Sequence, residues 1–258
     1  MHSTKEKIKN DLAALGIVKG DTVLMHSSFK SLGEFEGGAS LFFEAFFEVL
    51  GEEGTLILPA LSYESVTLEN PVFDINETPS CVGYLTEYFR TKITGVCRSL
   101  HATHSCCAKG KFAEEITKGH EMDETPVGNN SPFSKLVHFG GKILMLGCSL
   151  DRNTSMHGVE ETAIPPYCID KQNPIVYTLK NKDKTIEKLS YRHNFLDEKG
   201  RHIAQRYSRI IDLLSDDEKK FGKVLEAECV VMDARALWEK GHKKLVEDPL
   251  FFVDYPID

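Results

Sequence analysis

His157 and Glu160 lie three residues apart and are the residues in this sequence best suited to acid–base chemistry. They follow residues 142–146, a short apolar run next to glycines, which predicts a buried strand. The pattern then becomes helical, with Asn153 or Thr154 suited to the N-cap. Residues three apart share one face of a helix, where the carboxylate orients the imidazole and stabilises its protonated form. The pair therefore predicts a general base, although the same spacing is common in surface ion pairs.

A second candidate site is the polar loop 26–33, which joins a predicted strand at 22–25 to a predicted helix at 39–50. The loop contains hydroxyl groups, Lys30 and a glycine. Backbone N–H groups at a strand-to-helix junction suit an anionic phosphate. Neither a P-loop nor a G-x-G-x-x-G motif is present, so an ordinary polar connection remains the alternative. The loop 126–132 has a similar design, in which Ser131 and Pro132 begin a helix.

Other chemistries are open but less favoured by spacing. His101, His104 and His157 suggest a metal-dependent hydrolase, yet H-x-x-H is not the usual helical zinc spacing, and we expect no metal. Cys106 is a candidate nucleophile without a glycine-rich oxyanion loop beside it. The G-x-S-x-G elbow of serine hydrolases is absent from the sequence.

The composition describes an ordinary globular protein. The 258 residues are 41% hydrophobic and 27% charged, and the net charge is −8. This acidic balance argues against nucleic acid or an anionic membrane as the partner and leaves a cationic substrate open. No apolar run reaches the roughly 20 residues that span a bilayer. Seven cysteines without C-x-x-C, and no signal-peptide pattern, predict free thiols and a cytoplasmic location.

The order of predicted elements indicates the fold class. Helix, strand, helix and strand follow one another from residue 4 to residue 59, which favours a parallel or mixed sheet covered by helices. The last third predicts short strands near 175–178, 187–190 and 229–232, with helices near 204–214 and 233–240. The irregular segment 60–79 is long enough to form the wall of a site. No linker is evident, so we expect one domain, residues 1–258.

Six segments, in their order along the chain, closely resemble the aminoglycoside 3-N-acetyltransferase family of antibiotic acetyltransferases. The resemblance extends to about residue 167 and is weaker in the last third. The six segments are GDTVLMHSSFKSLG (20–33), GTLILP (54–59), RSLHATHS (98–105), TPVGNNSP (125–132), GGKILMLG (140–147) and NTSMHGVE (153–160).

The resemblance implies a cytosolic α/β enzyme of the antibiotic N-acetyltransferase type, with a mixed, largely parallel central sheet covered by helices. It implies acetyl transfer from acetyl-coenzyme A, the co-substrate, directly to an amine, with the 3-amino group of an aminoglycoside as the family's acceptor. His157 is then the base, Glu160 assists it, and the oxyanion donors lie near Ser105. We expect Tyr63, Glu64 and Glu161 to contact the acceptor.

The same resemblance places coenzyme A along three segments of the chain. The residues expected to bind it are His26, Ser27, Ser28, Lys30, Ser31, Leu32, Gly33, His104, Ser105, Pro126, Gly128, Ser131 and Pro132.

The chain departs from the family pattern at Gly158, Ala102 and Asn129–Asn130. Drug-modifying members often have tyrosine after the catalytic histidine, where this chain has Gly158. These departures bear on the acceptor more than on acetyl transfer. A coenzyme A-binding protein without drug activity therefore stays an alternative. The expected partner is a small amine, and a homodimer is a further expectation.

Overall fold

The computed structural model describes residues 4–197 and 199–255, in which seven α-helices and twelve β-strands form the regular structure. The helices are α1 (Thr4–Ala14), α2 (Gly38–Leu50), α3 (Tyr84–Lys92), α4 (Ala113–Thr117), α5 (Pro132–His138), α6 (Ser155–Ala163) and α7 (Ala234–Glu247). The strands are β1 (Thr22–Ser27), β2 (Thr55–Pro59), β3 (Val72–Asp74), β4 (Cys97–Arg98), β5 (Cys106–Gly110), β6 (Lys142–Leu146), β7 (Ile169–Lys180), β8 (Thr185–His193), β9 (Ala204–Gln205), β10 (Lys219–Val224), β11 (Ala227–Asp233) and β12 (Val253–Asp254).

Seven strands form the central sheet, in the order β10-β11-β6-β1-β2-β5-β4. Its middle is parallel, because β1 pairs in parallel with both β2 and β6. The four outer pairings are antiparallel. The α/β class and the mixed sheet are therefore confirmed, but the parallel part is confined to three strands. The sheet is partly parallel, because β5 and β11 enter by connections that reverse the strand direction.

Helices cover both faces of this sheet, and the strand sequences alternate between two cores. Along β6, Leu144 and Leu146 pack with α1 and α2, whereas Ile143 and Met145 pack with α5 and α7. Successive side chains of a strand point to opposite faces, so a strand buried on both faces is apolar throughout. This explains why residues 142–146 are a continuous apolar run.

Strands of the last third form the β9–β12 pair and, together with β3, a smaller three-stranded sheet in the order β3-β7-β8. Strands β7 and β8 extend well beyond the segments predicted for them. The helix predicted at 204–214 was wrong, since strand β9 and a 3₁₀ turn at Tyr207–Asp212 occupy that range. Buried Tyr207 and Ile210 repeat every three residues, a spacing that a 3₁₀ turn satisfies as well as an α-helix.

Among the described residues, none of the helices combines the length and the apolar character needed to cross a bilayer.

Candidate active site

Helix α6 begins beyond the carboxyl end of β6, an edge of the sheet where α/β folds place ligands. Thr154 is the N-cap residue, but its side chain makes no capping bond. The Asn153 side chain does this instead, because its Oδ1 accepts a hydrogen bond from the Ser155 N–H at 3.2 Å. The helix ends at Ile164, whose φ of 53° is left-handed, and Pro165 follows. Helix α6 is thus only nine residues long.

His157 and Glu160 lie together on α6, as the sequence predicts, but a tyrosine lies between their polar atoms. The direct distance from His157 Nδ1 to Glu160 Oε2 is 3.4 Å. The Tyr207 hydroxyl lies 2.8 Å from His157 Nδ1 and donates to Glu160 Oε2 at 2.7 Å. Tyr167 donates to the other carboxylate oxygen at 3.0 Å. Glu160 is completely buried, so these hydrogen bonds take the place of its water.

This network fixes the tautomer of His157. The Tyr207 proton is committed to Glu160, so the phenol oxygen can only accept from His157 Nδ1–H. Burial of the phenol raises the pKa of Tyr207 well above its ordinary value, and the negative charge of Glu160 raises it further. The phenol therefore keeps its proton. His157 Nε2 therefore carries the lone pair. His157 lines the cleft and its side chain is 13% exposed, so this nitrogen is suited to act as a base.

A second histidine–carboxylate pair lies next to the first. His193 is the last residue of β8, and its Nε2 lies 2.7 Å from Glu161 Oε1. The ring centres of His193 and His157 are 4.4 Å apart. The Val127 N–H donates to the same Glu161 oxygen at 2.9 Å. Burial lowers the pKa of His193 well below its ordinary value and raises the pKa of Glu161 to about 7. Glu161 therefore orients His193 from inside the protein.

His157 lines a cleft of about 650 Å³, whereas Glu160 is buried behind it. Of the predicted residues, those that line it are His26, Ser27, Tyr63, His104, Pro126 and His157. Burial lowers the pKa of His26 to about 3, so its ring is neutral. Ser27 ends β1, so the cleft begins where a central strand stops, as expected for this class of fold.

The other predicted residues lie outside the cleft lining. Ser105 is fully buried and donates to the Ala60 carbonyl, while Ser131 caps α5 and is also buried. Leu32 lies in the core, Glu64 and Lys30 are exposed, and the Ser31 hydroxyl donates to the Gly147 carbonyl. Glu161 is buried behind His193. Ser28, Gly33, Gly128 and Pro132 are likewise absent from the cleft lining.

The three histidines that lie together in the structure are not the three expected from the sequence, which were His101, His104 and His157. His101 is buried and stacks on His120, with ring centres 4.5 Å apart. His101 Nδ1 accepts hydrogen bonds from the N–H groups of Thr103 and His104, a structural role. The residue that completes the group with His104 and His157 is His193. The proposed metal set that included His101 was therefore wrong.

Cys106 is a strand residue and not a nucleophile. It lies in β5, is completely buried, and its thiol pKa is raised well above the ordinary value by burial. All seven cysteines, which lie within the described ranges, are free thiols.

Gly158 is explained by packing between helices. A Cβ at this position would lie 2.2 Å from the Trp238 ring and 2.7 Å from Val127. The Trp238 Nε1–H donates to the Ser155 hydroxyl at 3.0 Å, which holds the ring against α6. Residue 158 thus faces α7 and does not line the cleft.

Sequence reasoning missed many cleft residues, including all those from the last third of the chain. The polar and aromatic ones among the missed residues include Thr103, Asp151, Arg152, Asn153, Arg192, His193, Phe195, Gln205 and Tyr207. The run Tyr191-Arg-His-Asn-Phe195 mixes aromatic and basic residues at the end of a strand, and this was the available signal.

A histidine–tyrosine–glutamate relay that opens onto a large cleft beside parallel strands is typical of an α/β enzyme, and its free imidazole nitrogen is suited to general-base catalysis. The comparisons agree with that class. The family model described as aminoglycoside 3-N-acetyltransferase matches residues 24–246. An aminoglycoside N(3')-acetyltransferase-like protein, YokD, from Bacillus subtilis (strain 168) is 31% identical over 246 residues, which are 88% of this chain and 86% of that protein.

Solved structures show the same fold. A complex of AAC-IIIb with CoASH has a TM-score of 0.81 and 27% identity, covering 98% of this chain and 99% of that one. A histidine-to-alanine mutant of AAC(3)-IVa in complex with a gentamicin has a TM-score of 0.79 and 26% identity, covering 98% and 91%. This chain belongs to the aminoglycoside 3-N-acetyltransferase family. It is an acyltransferase with acetyl-coenzyme A as co-substrate, which confirms the expected enzyme class.

Proposed function

We propose that this protein transfers the acetyl group of acetyl-coenzyme A to an amine of a polycationic aminoglycoside, with His157 as the general base. The observation that carries the proposal is the His157–Tyr207–Glu160 relay at the wall of the cleft. The net charge of −8 favours a cationic acceptor. Relatives that are named for aminoglycosides, and a neighbour in complex with a gentamicin, support the acceptor class.

His157 takes the proton from the attacking nitrogen through Nε2, the ring nitrogen that the relay leaves free. The nitrogen forms its bond to the thioester carbonyl carbon, the C–S bond breaks, and the leaving coenzyme A thiolate takes the proton back from the His157 imidazolium. As His157 becomes charged, Glu160 stabilises the imidazolium through the Tyr207 hydroxyl. The cleft raises the rate further by holding amine and thioester together.

Asn153 is the residue we propose to stabilise the oxyanion. Ser105, the earlier expectation, is unsuitable because its hydroxyl donates to Ala60 and accepts from Arg98 Nε. Asn153 lines the cleft one turn before His157, and its buried Nδ2 has no hydrogen-bond partner among the described residues. An unpaired buried amide donor is costly, and a developing oxyanion would satisfy it.

Asn153→Ala should therefore lower kcat by about 10²-fold with a small change in KM, the usual result of losing an oxyanion donor. Steady-state kinetics on the variant test this role. A rise in KM with unchanged kcat would contradict it and indicate substrate binding instead.

The end of the cleft at His26 and Ser27 is the part we propose for the thioester arm of coenzyme A. These residues end β1, next to loop 26–33, while His104 and Pro126 line the cleft from other segments. The seven free thiols support a cytoplasmic location, since that compartment keeps thiols reduced. The homodimer stays a prediction, for which a mass measurement in solution is the check.

The decisive experiment is His157→Ala, followed by coenzyme A thiol release with gentamicin-type acceptors. We expect turnover to fall by about 10²- to 10⁴-fold, the range for a positioned base, while coenzyme A binding measured by calorimetry is nearly unchanged. His242→Ala is the matched control, because His242 lies on α7, contacts the exposed Thr162 hydroxyl at 3.1 Å and does not line the cleft. Acetyl transfer at the parent rate by His157→Ala would overturn the assignment.

A further inference from the structure

Three histidines meet at the wall of the cleft, each from a different part of the chain. His157 comes from α6, His193 from the end of β8, and His104 from the loop between β4 and β5. One side-chain nitrogen from each lies within 4.8 Å of the other two. The ring centres are 4.4 Å apart for His157 and His193, 5.4 Å for His104 and His193, and 5.9 Å for His104 and His157.

Each of these rings is oriented through one nitrogen only. His157 Nδ1 bonds Tyr207, His193 Nε2 bonds Glu161, and His104 Nδ1 lies 2.9 Å from the Thr103 hydroxyl. The opposite nitrogen of each ring has no hydrogen bond among the described residues. Metal-binding histidines show this arrangement, in which the second nitrogen of each ligand bonds a carboxylate, hydroxyl or carbonyl.

We propose that His104, His157 and His193 form a binding site for a divalent cation of the zinc class, and that the cation inhibits the enzyme. In a tetrahedral zinc site with Zn–N bonds of about 2.1 Å, the ligand nitrogens lie about 3.4 Å apart. The three histidine nitrogens lie within 4.8 Å of one another, so the most widely separated two need to approach each other by about 1.4 Å at most. Such a shift is a small side-chain rotation. Three imidazoles leave the fourth position for water, as in open zinc sites.

The inhibition depends on the ring nitrogen of His157 that the cation binds, and it rests on the proposed function of His157 as the base. The cation takes the His157 lone pair that the acceptor amine needs as its base. Tyr207 and Glu160 support the bond, because they hold the proton on Nδ1 and orient the free nitrogen towards the cation. The relay that prepares His157 for proton transfer thus also prepares it for metal binding.

The first test is binding, with Zn²⁺ alone as the probe on chelator-treated full-length protein. Calorimetry should show one ion per chain, and His193→Asn and His104→Asn should each weaken binding by at least about 10-fold. Glu161→Gln, which removes only the charge behind His193, should weaken it by about 10-fold. His242→Asn, at a half-buried histidine of α7 outside the cleft, should bind like the parent.

Two cysteines, Cys81 and Cys148, also line the cleft and must be separated from the histidines. Cys81→Ser and Cys148→Ser should bind Zn²⁺ like the parent, and the Co²⁺-substituted protein should show ligand-field bands without a thiolate charge-transfer band. Loss of binding in a serine variant, or equal affinity in parent and His193→Asn, would overturn the site.

The second test reads His157 without any acceptor or coenzyme A. Stoichiometric Zn²⁺ should protect His157 from diethyl pyrocarbonate, measured by peptide mass spectrometry, while His242 stays reactive. A zinc-saturated protein in which His157 reacts at the parent rate would overturn the inhibitory role. Because this readout needs no turnover, it stays informative even if the proposed acetyl transfer fails.

Discussion

Tyr207 is the residue that converts a loose histidine–glutamate pair into a relay. The 3.4 Å gap between His157 Nδ1 and Glu160 Oε2 is long for a charge-assisted bond, and the phenol bridges it with contacts of 2.8 Å and 2.7 Å. A spacing of three on a short helix brings the two side chains near each other but does not fix their orientation. The tyrosine supplies the orientation from another element.

Tyr207→Phe should lower kcat by about 10- to 10²-fold with a small change in KM, because His157 loses the partner that fixes its tautomer. Tyr167→Phe is the matched control, since Tyr167 also donates to Glu160 but does not contact His157 in the network. Its effect on kcat should be smaller. Pre-steady-state kinetics and a pH–rate profile check both variants, and equal losses in the two would show that Tyr207 only solvates Glu160.

At the scale of elements, the contact between α6 and α7 positions His157 and Glu160. Gly158 allows the Trp238 ring to pack close against α6, and Gly241 of α7 similarly accommodates Val159, since a Cβ at Gly241 would lie 2.9 Å from the Val159 side chain. Small residues on both helices allow this close approach. The glycine after His157 is therefore a packing requirement of this particular pair of helices.

Gly158→Ala should destabilise the fold by about 1–3 kcal/mol, as overpacking does, because the added methyl overlaps the Trp238 ring. Urea denaturation measures the loss. Adding Trp238→Leu should recover part of the stability, although that change alone is destabilising. The double-mutant cycle would contradict the packing account if the two effects simply added.

At the scale of the whole molecule, buried histidines make stability depend on pH. Burial lowers the pKa of His26, His101, His104, His120 and His193 below their ordinary value. A lowered pKa in the folded state contributes stability that is present above the unfolded value, about 6.5, and is lost as pH falls. Glu161, with its pKa raised to about 7, acts in the opposite sense, and its contribution is lost as pH rises towards 7.

The unfolding free energy should therefore fall steeply between pH 6.5 and pH 4.5. The five histidines bind about five more protons in the unfolded chain than in the folded protein, and Glu161 binds about one fewer, so the net difference is about four protons. The slope of the unfolding free energy with pH therefore has an upper bound of about 5 kcal/mol per pH unit. Urea denaturation at half-unit steps of pH measures it. His242→Gln should keep the slope and His120→Gln should reduce it. A flat profile down to pH 5 would show that these rings are hydrated.

The sequence by itself determined the local features of this protein. Apolar runs next to glycines predicted strands β2 and β6, and Ser131-Pro132 marked the start of α5. The spacing of His157 and Glu160 predicted that the two side chains lie together on one helix. The six ordered segments identified the family and the co-substrate. These features depend on neighbours in sequence, where periodicity and capping chemistry act directly.

Only the tertiary structure decided which residues complete the site. Tyr207 lies 50 residues from His157 along the chain, and His193 is placed by the β7–β8 ladder. Ser105 and Ser131 resembled ligand contacts in sequence, but the folded chain uses both hydroxyls internally. Hydrogen-bond partners depend on which distant segments meet in space, and no local pattern records that. The reason that residue 158 must be glycine lies in Trp238, a residue of another helix.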